Sequence, residues 1–237
     1  MEALQEKKKR LITLLHEVEV ASVIPGELQF GSSVVIKLDE EVWADAATQS
    51  VETLIERTQA LMSEANAVVA YGRYLENRAS LYSRSPLFKQ GEILRSVHLG
   101  IDITVPTNTS VFSPLPAKLH SYADNANFGD YGPTLILEHQ LEDITFFTLY
   151  GHLSKSSLTG LKRDRLFSAG EQIATVGCVE ENGCWPPHLH FQIILDLQGW
   201  QGGFPGVAAP HELEKYQLLC PDPNLLLRVD PSVSVLS

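Results

Sequence analysis

The sequence predicts an α+β protein, a mainly antiparallel β core with an N-terminal helical extension. Apolar residues near the amino terminus recur at helical steps, at Leu4, Leu11, Leu15 and Val18. From about Arg95 the texture changes to short β-rich runs, among them "IDITV", "TLILEH", "TFFTLYGHL" and "LHFQIIL". Turn residues such as Pro106, Pro114, Gly129, Gly132, Gly170 and Gly183 punctuate those runs.

Taken in order, residues 3–19 read as an amphipathic helix with charges on its remaining faces, broken by Pro25 and Gly26. "FGSSVVIKL" (Phe30 to Leu38) reads as a short strand. A second helix is expected from about Glu40 to Ala70, with Val51, Leu54, Ile55, Leu61, Met62 and Ala65 as its packing stripe. The stretch from Tyr71 to Gln90 interleaves aromatics and arginines (Tyr71, Arg73, Tyr74, Arg78, Tyr82, Arg84). It is read first as a structural wrap around the following domain, with a cation–π or substrate-rim role as the alternative. Gln198 to Tyr216, rich in Gly and Pro, reads as a long surface loop. "CPDPNLLL" (Cys220 to Leu227) closes the chain's last domain. Two units follow: an extension over 1–94, with two helices and a short strand, and a β domain over 95–237 carrying the loop 198–216.

Composition narrows the function. With 44% apolar and 20% charged residues over 237, the chain can bury a substantial core. A net charge of −11 argues against general affinity for nucleic acid or anionic membranes. The basic start "MEALQEKKKRLITLL" leads into an apolar run that ends at His16 and Glu17, and no segment approaches a membrane span. A cytoplasmic protein is therefore expected, with the N-terminal helix as a candidate self-association surface. Cys178, Cys184 and Cys220 read as reduced thiols, a Cys178–Cys184 bridge being the alternative in an oxidising compartment.

The chemistry concentrates in three strings, "HLGID", "YGHL" and "HLHF". Two imidazoles and a carboxylate are the ligand set of a catalytic zinc that keeps one position open. On a strand, His188 and His190 point to one face while Leu189, Phe191 and Ile193 point to the other. Their Cα atoms would lie about 6.6 Å apart, close enough for one site. His98 and Asp102 share parity too, but four residues of ideal strand span about 13 Å. The chain must therefore bend between them, and Gly100 is the residue suited to permit it. His16, His120 and His211 read as structural or exposed, and His139 as structural or supporting. The helical His-Glu-x-x-His motif is absent, since "HELEK" at His211 lacks a second histidine.

"HLGID", "YGHL" and "PPHLHF", in this order, resemble the lysostaphin-like zinc metallopeptidases typified by peptidoglycan endopeptidases. The likeness extends to "VFSP", "GDYGPTLILEH" and "AGEQIATVG", and through the closing segment it covers roughly residues 95–227. It implies that His98, Asp102 and His190 bind one zinc ion with water in the fourth position, and that His152 and His188 are the catalytic histidines. The implied activity is a metalloendopeptidase cleaving a peptide amide, such as a glycine-rich, peptidoglycan-like one. "RSVHLGID" preceded by "YGRYLENRASLY" also resembles a subgroup found as a module in large cytoplasmic proteins with kinase-like and aminotransferase domains. The alternatives are a zinc-holding regulatory module without turnover and a small-amide hydrolase within a larger cytoplasmic assembly.

Overall fold

The computed structural model describes residues 2–39, 43, 50–83 and 86–235. In chain order the strands are β1 Ser33–Ile36, β2 Val69–Gly72, β3 Lys89–Gln90, β4 Ile93–Leu94, β5 Val97–His98, β6 Ile101–Thr104 and β7 Ser110–Phe112. They continue with β8 Ala117–Asn125, β9 Gly132–Leu141, β10 Ile144–Gly151, β11 Leu166–Phe167, β12 Gln172–Thr175, β13 His188–Ile194 and β14 Val207–Ala208. Eight of them form one sheet, in the order β1-β2-β6-β13-β10-β9-β8-β11. The pairings in this sheet are antiparallel except β1 with β2, which run parallel. A parallel pair needs a crossover, and the helix Val51–Glu64 lies on the chain between those two strands.

That helix is shorter than the periodicity of 40–70 suggests. Ser50 caps its start by accepting from the Thr53 N–H. Asn66, at φ 50°, ends it in the left-handed region. The apolar run beyond, from Val69, becomes β2, because pairing with β1 on one side and β6 on the other satisfies its backbone better than another helical turn. Residues 40–42 and 44–49, where the expected helix would have begun, lie outside the described residues, as does Arg84.

The N-terminal helix Glu2–Glu17 lays Leu11 and Leu15 into the main core, with Leu4 and Val18 packed partly against it. Lys7 and Lys8 donate to the carbonyls of Leu195 and Gln217. The apolar stripe of this helix is therefore packed on the chain's own core. Leu189, Phe191 and Ile193 of β13 bury their side chains in that core beside Ile101, Ile103 and Tyr150.

The stretch 198–216 is not a plain surface loop. It contains β14, which pairs with β5, and leads into the helix Leu213–Leu219, whose Leu219 joins Leu99, Ile136 and Ile194 in a second apolar cluster. The short helix Asn224–Leu227 then buries Leu226 and Leu227. Cys178, Cys184 and Cys220 are free thiols, and no helix among the described residues is long and apolar enough to cross a membrane.

Candidate metal centre

The strand expected over "HLGID" is interrupted at Leu99 and Gly100. Before the break His98 pairs with Val207 of β14; after it Asp102 pairs with His190 of β13. This change of partner brings the two ends of the motif together. His98 Nε2 lies 3.0 Å from His190 Nδ1 and 3.2 Å from Asp102 Oδ1, and the third edge, His190 Nδ1 to Asp102 Oδ1, is 3.1 Å. Gly100 makes this possible through space rather than through an unusual φ. A Cβ there would stand 2.5 Å from His190 Cε1 and 2.8 Å from the Phe191 carbonyl oxygen.

Each imidazole has its outer nitrogen committed. His98 Nδ1 donates to the Arg73 carbonyl at 3.0 Å. His190 Nε2 donates to Gln192 Oε1 at 3.0 Å, and Gln192 is itself oriented by donating to the Pro205 carbonyl and the Cys220 sulfur. Those bonds place the ring protons outward and turn one lone pair of each imidazole towards Asp102 Oδ1. Three acceptor atoms then face one another with no proton between them, an arrangement that a cation relieves. A tetrahedral zinc with bonds of about 2.0–2.1 Å has ligand–ligand edges of about 3.3 Å, so the triangle fits with a small expansion.

Arg78 holds the other side of the carboxylate. Its Nη1 lies 2.6 Å from Asp102 Oδ2 and 3.1 Å from the Tyr82 hydroxyl, while its Nε donates to Glu76 Oε2 at 2.9 Å. Both Arg78 and Glu76 are buried. Gly72, opposite Asp102 on β2, leaves the room, since a Cβ there would be 2.8 Å from Arg78 Nη2. Burial alone would raise the Asp102 pKa, but the neighbouring His98 and the Arg78 guanidinium hold it well below the usual carboxylate range. His98 is held down at about 4, chiefly by burial and then by the Arg78 charge.

His152 and His188 stand beside this triangle with ring centroids 4.2 Å apart. His152 follows the end of β10 in the left-handed region, at φ 61°, its N–H donating to the Tyr131 carbonyl. Its Nδ1 donates to the Asn182 carbonyl at 2.7 Å, and His188 Nδ1 donates to the Pro186 carbonyl at 2.6 Å. Both therefore keep Nε2 as an acceptor, and His188 Nε2 is 3.8 Å from Asp102 Oδ1. Burial is the first cause lowering both pKa values, His152 the further, with the neighbouring His188 adding to its shift.

The five residues singled out from the strings thus line one cavity of about 320 Å³. His139 is elsewhere in the sheet, bonded to the Pro116 carbonyl and the Thr148 hydroxyl and stacked on Phe146. Sequence reasoning missed Gln192, although its parity on β13 matches His188 and His190. It also took the Arg78 and Tyr82 stretch first as a wrap, whereas both residues line the cavity.

Fold and site together define a β-scaffolded protein with a donor set suited to one divalent metal. Residues 96–201 match the model of peptidase family M23. No curated protein matches the chain. Among solved structures it is similar to a zinc-containing peptidase from Vibrio cholerae, at 29% identity over 46% of this chain and 31% of that one, with a TM-score of 0.35. It is also similar to the catalytic domain of the antimicrobial peptidase lysostaphin from Staphylococcus simulans, at 22% identity over 59% of this chain and 99% of that one, TM-score 0.36. A prophage-encoded M23 protein from Enterococcus faecalis, as its catalytic domain, matches at 20% identity over 52% and 83%, TM-score 0.36. The likeness spans about a third of the Vibrio cholerae chain's length.

Proposed function

We propose that this protein is a zinc metallopeptidase, its domain spanning 95–237, in which His98, Asp102 and His190 hold one metal ion and His152 and His188 move protons. The observation that carries the reading is the triangle of acceptor atoms with edges of 3.0–3.2 Å, whose outer hydrogen bonds leave no proton inside it. Bound there, zinc would supply Lewis acidity and bring the pKa of a water towards about 7.

The chain's own residues account for the proton traffic. Hydrolysis joins a water oxygen to the amide carbonyl carbon, breaks the C–N bond and moves one water proton to the leaving nitrogen. His152 and His188 both present an unprotonated Nε2 to the cavity, and their lowered pKa values keep them neutral at pH 7, ready to accept that proton. Once charged, His188 is supported by Asp102 at 3.8 Å and can return the proton to the departing amine. The second imidazole, its Nδ1 proton likewise committed to a backbone carbonyl, offers a further acceptor that can orient the attacking water. A module that only held a metal would need neither, which favours turnover over the purely regulatory alternative.

Elemental analysis of wild type and His190→Ala tests the ligand assignment. Zinc in the first and loss in the second is expected, and equal metal content removes it. His188→Ala should keep zinc while losing peptide cleavage. Cleavage of a peptide panel that a chelator abolishes and zinc restores would exclude the regulatory reading.

A further inference from the structure

We propose that the cavity beside the metal triangle is a specificity pocket for an aromatic or branched apolar side chain next to the scissile amide. This rests on the metallopeptidase reading and sets its substrate class: short apolar peptides rather than glycine cross-bridges. The cavity that His98, Asp102, His190, His152 and His188 enter is also lined by Tyr82, Phe88 and Trp185. Tyr82 and Phe88 stack with centroids 4.0 Å apart, and Trp185 stands 6.4 Å from each, edge-on to the Tyr82 ring. Leu54, Val207 and Phe204 supply further apolar surface.

This aromatic wall is continuous with the reacting centre. The Tyr82 hydroxyl is 3.1 Å from Arg78 Nη1, and that nitrogen is 2.6 Å from Asp102 Oδ2. A side chain resting on Tyr82 would thus be linked through Arg78 to the carboxylate of the triangle. Phe88 and Tyr82 are nearly covered already, while Trp185 is only half-buried and forms the accessible rim. A volume of about 320 Å³ is at the small end of ligand pockets, enough for one side chain with its flanking amides. A glycine substrate would leave this surface facing water. A phenylalanine or leucine side chain buried there should tighten binding by about tenfold to a hundredfold over glycine.

The test uses the full chain loaded with zinc and a matched series of N-acetyl amino-acid hydroxamates, whose common end chelates metal while the side chain varies through Gly, Ala, Leu and Phe. Affinities are read by calorimetry, with Trp185 fluorescence as a second signal. The proposal expects the Leu and Phe compounds to bind at least tenfold tighter than Gly, and Trp185→Ala to reduce that ratio below about threefold. Equal affinities across the series, a preference for Gly, or no binding at all would overturn it. The same side chains are then offered as peptide amides beside triglycine. Apolar preference in binding without any cleavage keeps the pocket and sinks the peptidase reading. Cleavage of triglycine at least as fast as the apolar peptides keeps the peptidase and sinks the pocket.

Discussion

On the proposed metal site, replacing Gly100 by Ala should cost zinc binding before it costs the fold. The added Cβ would stand 2.5 Å from His190 Cε1 and 2.6 Å from Nε2, where ordinary contact begins at 3.4 Å. The shortfall is about 0.9 Å, and the third neighbour, the Phe191 carbonyl at 2.8 Å, is backbone in the middle of β13 and cannot swing away. The imidazole must therefore yield. Metal–ligand distances tolerate only about 0.2 Å, so a shift several times larger opens the triangle. We expect zinc affinity to fall by about tenfold to a hundredfold, the range seen when a ligand loses its orientation. Overpacking should lower metal-free stability by about 1–3 kcal/mol. Competition against a chromophoric chelator gives the first quantity and urea unfolding of the metal-free protein the second. Gly26→Ala serves as control, since its Cβ would meet its nearest neighbour, Ser22 Oγ, at 3.5 Å, an ordinary contact. Wild-type zinc affinity in a folded Gly100→Ala protein would refute the account of how this strand break builds the site.

Three further outcomes are expected. Arg78→Met leaves Asp102 and Glu76 without their 2.6 Å and 2.9 Å partner, so the metal-free protein should lose about 3–5 kcal/mol. Zinc should then raise its Tm by more than it raises that of wild type, because the ion replaces the lost positive charge beside Asp102; equal shifts would contradict this. Gln192→Leu removes the acceptor that fixes the His190 tautomer and should weaken zinc binding about tenfold or more, read by calorimetric titration. His139 is held at about 4 by burial, only partly offset by its bond to the Pro116 carbonyl. A folded-state pKa below the ordinary value of about 6.5 means the unfolded chain takes the proton first, so stability is lost as pH falls from about 6.5 to 4. Wild type should shed about 3 kcal/mol more than His139→Gln across that window, and parallel stability curves would remove the assignment.

Much of the site could be read from residue order because it depends on local rules. Strand parity alone put His188 and His190 on one face and Leu189, Phe191 and Ile193 in the core. The impossibility of spanning His98 to Asp102 along an ideal strand demanded a break, and the chain breaks at Leu99 and Gly100. The features that escaped depend on distant partners. The apolar run from Val69 continues a helical pattern on paper, yet β1 and β6 claim it as a strand. Arg78 looks like any surface arginine until Gly72, Glu76 and Asp102 close around it. Gln198 to Tyr216 has the composition of a loop, but Val207 and Ala208 pair with the strand that carries His98.

The pairing of β2 with β6 has a practical consequence for anyone who would dissect this protein. The family-matched segment begins at residue 96, yet the strand bearing Asp102 is hydrogen-bonded to one that ends at Gly72. A fragment trimmed to the matched segment would bare β6 as a raw edge, open to pairing with another molecule. It would also leave Asp102 without its guanidinium clamp. Such a fragment should aggregate and bind zinc poorly, and its inertness would say nothing about the intact chain. A piece that keeps both the β2 pairing and the Arg78 clamp starts at or before Val69.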